Sequence, residues 1–170
     1  MTSSKPVAVF SGDDCTMVPA NTFPCNHLVE QIPPVSFWGK EFITNPTPNY
    51  SGGDEFHIIA SKDNTDVHVD RQRKGTLNKG DKYKISIPWD KTSLITTSNP
   101  SLVVQYTSGY GRSPSMSILP PTQCSWKDYI VYVPGVDVYV NAIIDTASRS
   151  GLRVKGPVAS GPFKLSLIHI

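Results

Sequence analysis

Glycine and proline recur so often in this chain that few windows remain for a long helix. Twelve glycines and fifteen prolines are spread over 170 residues. A proline inside a helix costs about 3 kcal/mol and a glycine about 1 kcal/mol. The apolar runs between these breakers are short, β-branched or aromatic, and bounded by turn residues, which is the signature of strands. Lys82-Tyr83-Lys84-Ile85-Ser86-Ile87 alternates strictly, so Tyr83, Ile85 and Ile87 face a core and the lysines face water. Phe56 to Ala60 and Asp66 to Val69 flank Ser61-Lys62-Asp63-Asn64-Thr65, a hydrogen-bonding turn that predicts a hairpin. Val7 to Phe10 is apolar on both faces and predicts a central, covered strand. Ser93 to Thr97, Leu102 to Tyr106, Met116 to Leu119, Tyr129 to Val133, Val136 to Val140 and Leu152 to Val154 complete the set. The expected class is all-β.

Charge and hydropathy exclude other classes. Sixteen Lys and Arg against fourteen Asp and Glu leave a net charge of +2, too weak a field to argue for nucleic acid. No apolar stretch approaches the roughly 20 residues of a membrane helix, so direct membrane insertion is not expected. The first residues, Met1 to Pro6, lack the apolar centre of a signal peptide. The chain is therefore either cytosolic or an internal piece of something longer.

The chain also matches itself. Ile32-Pro33-Pro34 with Trp38 and Lys40-Glu41-Phe42 resembles Leu119-Pro120-Pro121 with Trp126 and Lys127-Asp128-Tyr129; the double prolines and the Lys-acid-aromatic triplets recur at one constant spacing. Ile58-Ile59 answers to Ile143-Ile144, and Tyr83 to Ile87 answers to Phe163 to Leu167, in the same order. This pattern predicts two tandem, similar β-sandwich units of jelly-roll type, residues 1–97 and 98–170, the second truncated. A β-propeller-like array of small sheets is the alternative. Trp38 and Trp126 are expected as plugs whose indole N–H groups bond to backbone; exposed sugar-stacking rings are the other reading.

The first copy is longer before its double proline, and the extra loop carries Cys15 and Cys25. Three cysteines allow three pairings, each leaving one over. A Cys15–Cys25 bridge around the polar, proline-bearing loop is expected, with Cys124 left over; all three reduced is the alternative. A bridge of that size contributes about 2–3 kcal/mol and implies an oxidising compartment.

No cofactor motif, catalytic residue or metal cluster stands out. Asn26-His27-Leu28-Val29-Glu30-Gln31 with Asp13 and Asp14 nearby could serve as a base or ligand set, but it reads more simply as a hydrogen-bonded loop. Asp63-Asn64-Thr65-Asp66 lacks the glycine and distal glutamate of a calcium loop and reads as a turn. Arg71-Gln72-Arg73-Lys74 reads as a solvated loop between strands. Asn49-Tyr50-Ser51 is an N-glycosylation sequon, meaningful in a secreted eukaryotic chain.

Several segments together resemble the N-terminal domain family of IgGFc-binding protein. They are Ser4 to Gly12, Cys15 and Cys25, His27 to Pro34 with Trp38 to Phe42, Ala60 to Thr65, Leu102 to Tyr106, and Pro114 to Pro121. The His27-Leu28-Val29-Glu30-Gln31, Pro33-Pro34 and Trp38-Gly39-Lys40-Glu41-Phe42 stretch is the specific part. The resemblance implies a non-enzymatic, extracellular protein-binding or adhesion module, its partners extracellular macromolecules and the flanking domains of a longer secreted chain. A carbohydrate-binding or carbohydrate-active domain is the alternative. Ile168 to Ile170 lie beyond the repeat and resemble a translated adapter tail.

Overall fold

The computed structural model describes residues 2–47, 52–109, 111–125, 128–130, 139–144 and 164–169. The chain forms two compact units, Met1–Ser125 and Trp126–Ile170. Every described regular element is a strand or a short 3-10 turn, so the all-β expectation holds.

In the first unit, nine strands run in chain order: β1 Phe10–Thr16, β2 Asn26–Gln31, β3 Gly39–Ile43, β4 Asp54–Ala60, β5 Thr65–Val69, β6 Gln72–Leu77, β7 Lys82–Ile87, β8 Leu94–Tyr106 and β9 Met116–Leu119. β1 and β2 form a separate antiparallel pair. The other seven make one sheet organised by β8, which is thirteen residues long. Its first half pairs with β5 on one edge and β3 on the other, while its second half pairs with β4 and β9. The partners change around Ser98-Asn99-Pro100, where proline has no N–H to give to a ladder. Inner-face side chains from both halves close on one core: Phe42, Phe56, Ile58, Val67, Val69, Ile87, Ile95 and Val103. The strict alternation of β4 and β5 produces this directly, each second residue being buried.

The expected boundary between residues 97 and 98 falls inside β8, so the compact unit runs on to Ser125. Asn99-Pro100 looks like a break in sequence, but here the strand only exchanges neighbours. Val7 to Phe10 is not a covered central strand either. Val7 and Phe10 are 60 % and 64 % exposed, and only Phe10 enters β1. Arg71 to Lys74 is not a loop. Asp70 and Arg71, at φ of 51° and 67°, make a two-residue hairpin turn, and Arg73 and Lys74 lie in edge strand β6. Charged side chains on that edge oppose unwanted strand pairing.

The second unit contains β10 Tyr139–Ile144 and β11 Lys164–His169, paired in parallel. Their expected counterparts, β4 and β7, are antiparallel, so the second copy does not reproduce the strand pairing of the first. A parallel pair needs a crossover where an antiparallel one needs only a turn. Ile168 and His169 belong to β11, opposite Ile143 and Ile144.

The repeated double proline does keep its local form. Pro34 at ψ 151° leads into a 3-10 turn at Val35–Phe37, and Pro121 at ψ 153° leads into another at Thr122–Cys124. The two turns meet through Gly39, where a Cβ would lie 2.2 Å from Pro121 Cβ. Gln123 Nε2 donates to Trp38 O at 3.4 Å, and Thr122 Oγ1 donates to Glu41 Oε1 at 3.1 Å.

Candidate interaction surface

The loop joining β1 to β2 is held at both ends. Cys15 and Cys25 are bridged, with 5.1 Å between their Cα atoms. Inside the ring Val18 is buried as a plug, and its carbonyl accepts the Gly109 N–H at 2.6 Å. Thr22 N–H donates to Pro19 O at 3.2 Å around Asn21, which adopts φ 66°, a conformation asparagine tolerates. The Val18-Pro19 and Phe23-Pro24 bonds are cis. Just past the bridge, Asn26 Nδ2 donates to Pro114 O at 2.9 Å. Phe23 stands 75 % exposed on this anchored loop. On the strand pair below, Phe10 and Val29 are also exposed. Phe10 lies opposite Gln31 and Val29 opposite Gly12, so the two are diagonal neighbours on one face. Single exposed apolar residues are ordinary. Here exposed aromatic and β-branched side chains stand on a covalently closed, plugged loop and its stem, which makes this a candidate surface for contact.

The residues singled out in sequence mostly serve structure. His27 and Glu30 sit three apart on β2, hence on opposite faces, with His27 exposed. Asp13 Oδ2 accepts Thr16 Oγ1 at 2.6 Å across the bulge that includes Cys15. Asp63 Oδ1 accepts the Lys79 N–H at 2.8 Å, and Asp66 Oδ1 accepts Thr76 Oγ1 at 2.6 Å and Arg73 Nη2 at 2.9 Å. Among the described residues no three His, Cys, Asp or Glu side chains could share a metal ion. Trp38 is half-buried and donates its indole N–H to Pro33 O at 2.9 Å, as a plug should. Asn49 and Trp126 lie outside the described residues. Cys124 is a free, half-buried thiol. It lines an apolar cavity of about 170 Å³ between the two proline turns, with Pro33, Trp38 and Pro121.

Sequence reasoning passed over one titratable cluster, on the outer face of β4. Glu55 Oε1 accepts His57 Nε2 at 2.7 Å and Lys84 Nζ at 3.0 Å. The imidazole packs on Tyr106 with ring centroids 4.6 Å apart. Burial alone would raise the Glu55 pKa, but the hydrogen bonds and charges of His57 and Lys84 outweigh it and hold the carboxyl below its usual range. Burial pushes His57 down, outweighing the pull of Glu55, and Lys84 and Lys82 add to the lowering. Burial, then the Glu55 charge, raises the Tyr106 hydroxyl. The i, i+2 spacing of Glu55 and His57 opposite Lys84 was the available signal.

The sign of the pH effect follows. The unfolded chain protonates histidine near its ordinary 6.5, before the folded chain does. Stability is fully present above that value and falls as pH drops below it. Glu55 adds a further loss at more acid pH, through its own lowered pKa. Urea unfolding at about pH 7.5 and about pH 5.5 should show the decline, and His57→Gln should flatten it.

The sequence model of the IgGFc binding protein family matches residues 1–165. The human protein named IgGFc-binding protein is 28 % identical over 167 residues, which is 92 % of this chain. The chain spans only 3 % of that relative's length. No solved structure matches the chain significantly.

Proposed function

The chain belongs to the IgGFc-binding protein family, and we propose that it works outside the cell as a protein-binding or adhesion module without catalytic activity. The observation that carries this reading is Phe23, 75 % exposed on a loop closed by Cys15–Cys25 and plugged by Val18. A rigid scaffold presenting a fixed loop is the usual arrangement for recognition, because the loop loses little freedom on binding. The bridge itself favours an oxidising compartment. Asp13, Asp63, Asp66 and Trp38 are engaged in hydrogen bonds that shape turns and stems. That argues against a carbohydrate-active site built on these four residues. In a secreted eukaryotic chain the Asn49-Tyr50-Ser51 sequon would carry a glycan.

The human relative is named for the Fc part of immunoglobulin G, so the Fc fragment is the first probe. Saturable binding of immobilised chain to Fc or to a secreted glycoprotein should weaken about tenfold or more in Phe23→Ser, as for an aromatic anchor. The variant should unfold at the wild-type urea midpoint, because Phe23 is largely exposed. Turnover or binding of a free glycan, with Phe23→Ser behaving as wild type towards every protein probe, would contradict the reading.

A further inference from the structure

The turn between β6 and β7 is a second exposed device, with a different chemistry. It consists of Asn78-Lys79-Gly80-Asp81, closed by the Asp81 N–H donating to Asn78 O at 2.9 Å. Gly80, at φ 87°, supplies the positive φ that the third position of a type II turn requires. The backbone is fixed on every side. Lys79 N–H donates to Asp63 Oδ1 at 2.8 Å, Gly80 N–H donates to Ala60 O at 2.9 Å, and Asp81 O accepts the Ala60 N–H at 3.1 Å. Lys79, Gly80 and Asp81 are all exposed, and nothing lies within 4 Å of where a Gly80 Cβ would stand. A cation and an anion are thus offered on a rigid tip, with open space between them for a partner's surface.

The carboxylate of Asp81 is half used. Its Oδ2 accepts the Asn78 N–H at 2.9 Å, and no other hydrogen bond to either oxygen is present among the described residues. A guanidinium partner prefers both oxygens at once, in a fork. A hard divalent cation is satisfied by one carboxylate oxygen, completing its shell from elsewhere. We propose that Lys79-Gly80-Asp81 is a recognition tip for a cell-surface adhesion receptor that places a bound divalent cation on Asp81 and an acidic pocket on Lys79. A basic residue and an aspartate held one glycine apart on a fixed turn match that pair of opposite charges. The inference rests on the adhesion-module reading and names a partner class for it, at a site separate from the Phe23 loop.

The test is attachment of cultured cells to the immobilised full chain. In Mn²⁺ cells should attach to wild type, detach in EDTA, and be displaced by a soluble Arg-Gly-Asp peptide. Asp81→Asn keeps an oxygen for the Asn78 N–H but removes the charge, and should lower attachment about tenfold. Lys79→Ala, which disturbs no side-chain contact among the described residues, should lower it severalfold even if Asp81→Asn folds poorly. No attachment to wild type in Mn²⁺, or attachment that Lys79→Ala and a folded Asp81→Asn leave unchanged, overturns the proposal. Attachment lost in Phe23→Ser but kept in both turn variants overturns it too, while leaving the adhesion-module reading standing.

Discussion

Phe56→Ala should cost about 3–5 kcal/mol of unfolding free energy, a large part of the roughly 5–15 kcal/mol that a domain possesses. Phe56 is wholly buried in β4, inside the cluster where the two halves of the curled sheet meet. Its strand pairs on one side with β7 and on the other with β8. Neither neighbour can move in without breaking a ladder, so the cavity would stay open and its full penalty would be felt. Phe56→Leu, which keeps most of the volume, should lose clearly less. Urea unfolding followed by circular dichroism distinguishes the two. Equal losses would mean that the site repacks freely, and that the core is looser than the fold implies.

Asp54→Ala should be of similar size, about 3–5 kcal/mol, for an electrostatic reason. Asp54 is buried at the start of β4. Its Oδ2 accepts the Thr47 N–H at 2.8 Å, Thr47 Oγ1 at 3.0 Å and Gln105 Nε2 at 2.6 Å. Oδ1 accepts the Ser108 N–H at 3.4 Å. One carboxylate thereby ties the segment after β3 to the segment after β8. Removing it takes this acceptor from the half-buried Thr47 and Gln105 donors, at about 1–3 kcal/mol each. Asp54→Asn retains one accepting oxygen and should recover part of the loss. A chemical-denaturation series in which alanine and asparagine behaved alike would show that water replaces the carboxylate at no loss.

Strands whose two faces see different surroundings were legible in sequence. β7 and β9 fall at Lys82–Ile87 and Met116–Leu119 because alternation or flanking prolines mark them. The Cys15–Cys25 loop was legible as an insertion between repeated landmarks. Illegible features depend on tertiary neighbours. Pro100 marks an exchange of strand partners and not a strand's end, a distinction only the pairing of β3, β4, β5 and β9 along β8 supplies. β6 is polar and exposed, so its membership of the sheet leaves no periodic trace. Val7 to Phe10 is apolar yet uncovered, because the β1–β2 pair is not hydrogen-bonded into the main sheet. At the two proposed contact sites the residue types were visible, but not the exposure of Phe23 or the fixed turn that presents Asp81. Both arise from backbone bonds to distant segments, Gly109 to Val18 and Gly80 to Ala60.

Hydrogen–deuterium exchange of the chain, alone and saturated with the Fc fragment or secreted glycoprotein that it binds, is the most direct test that the disulfide-closed loop is their contact surface. The account predicts slowed exchange confined to residues 17–25 and the adjoining β1–β2 stem, with β4, β5 and β8 unchanged because the scaffold is already rigid. A tight complex that left residues 17–25 exchanging as in the free chain, and protected another surface, would contradict it.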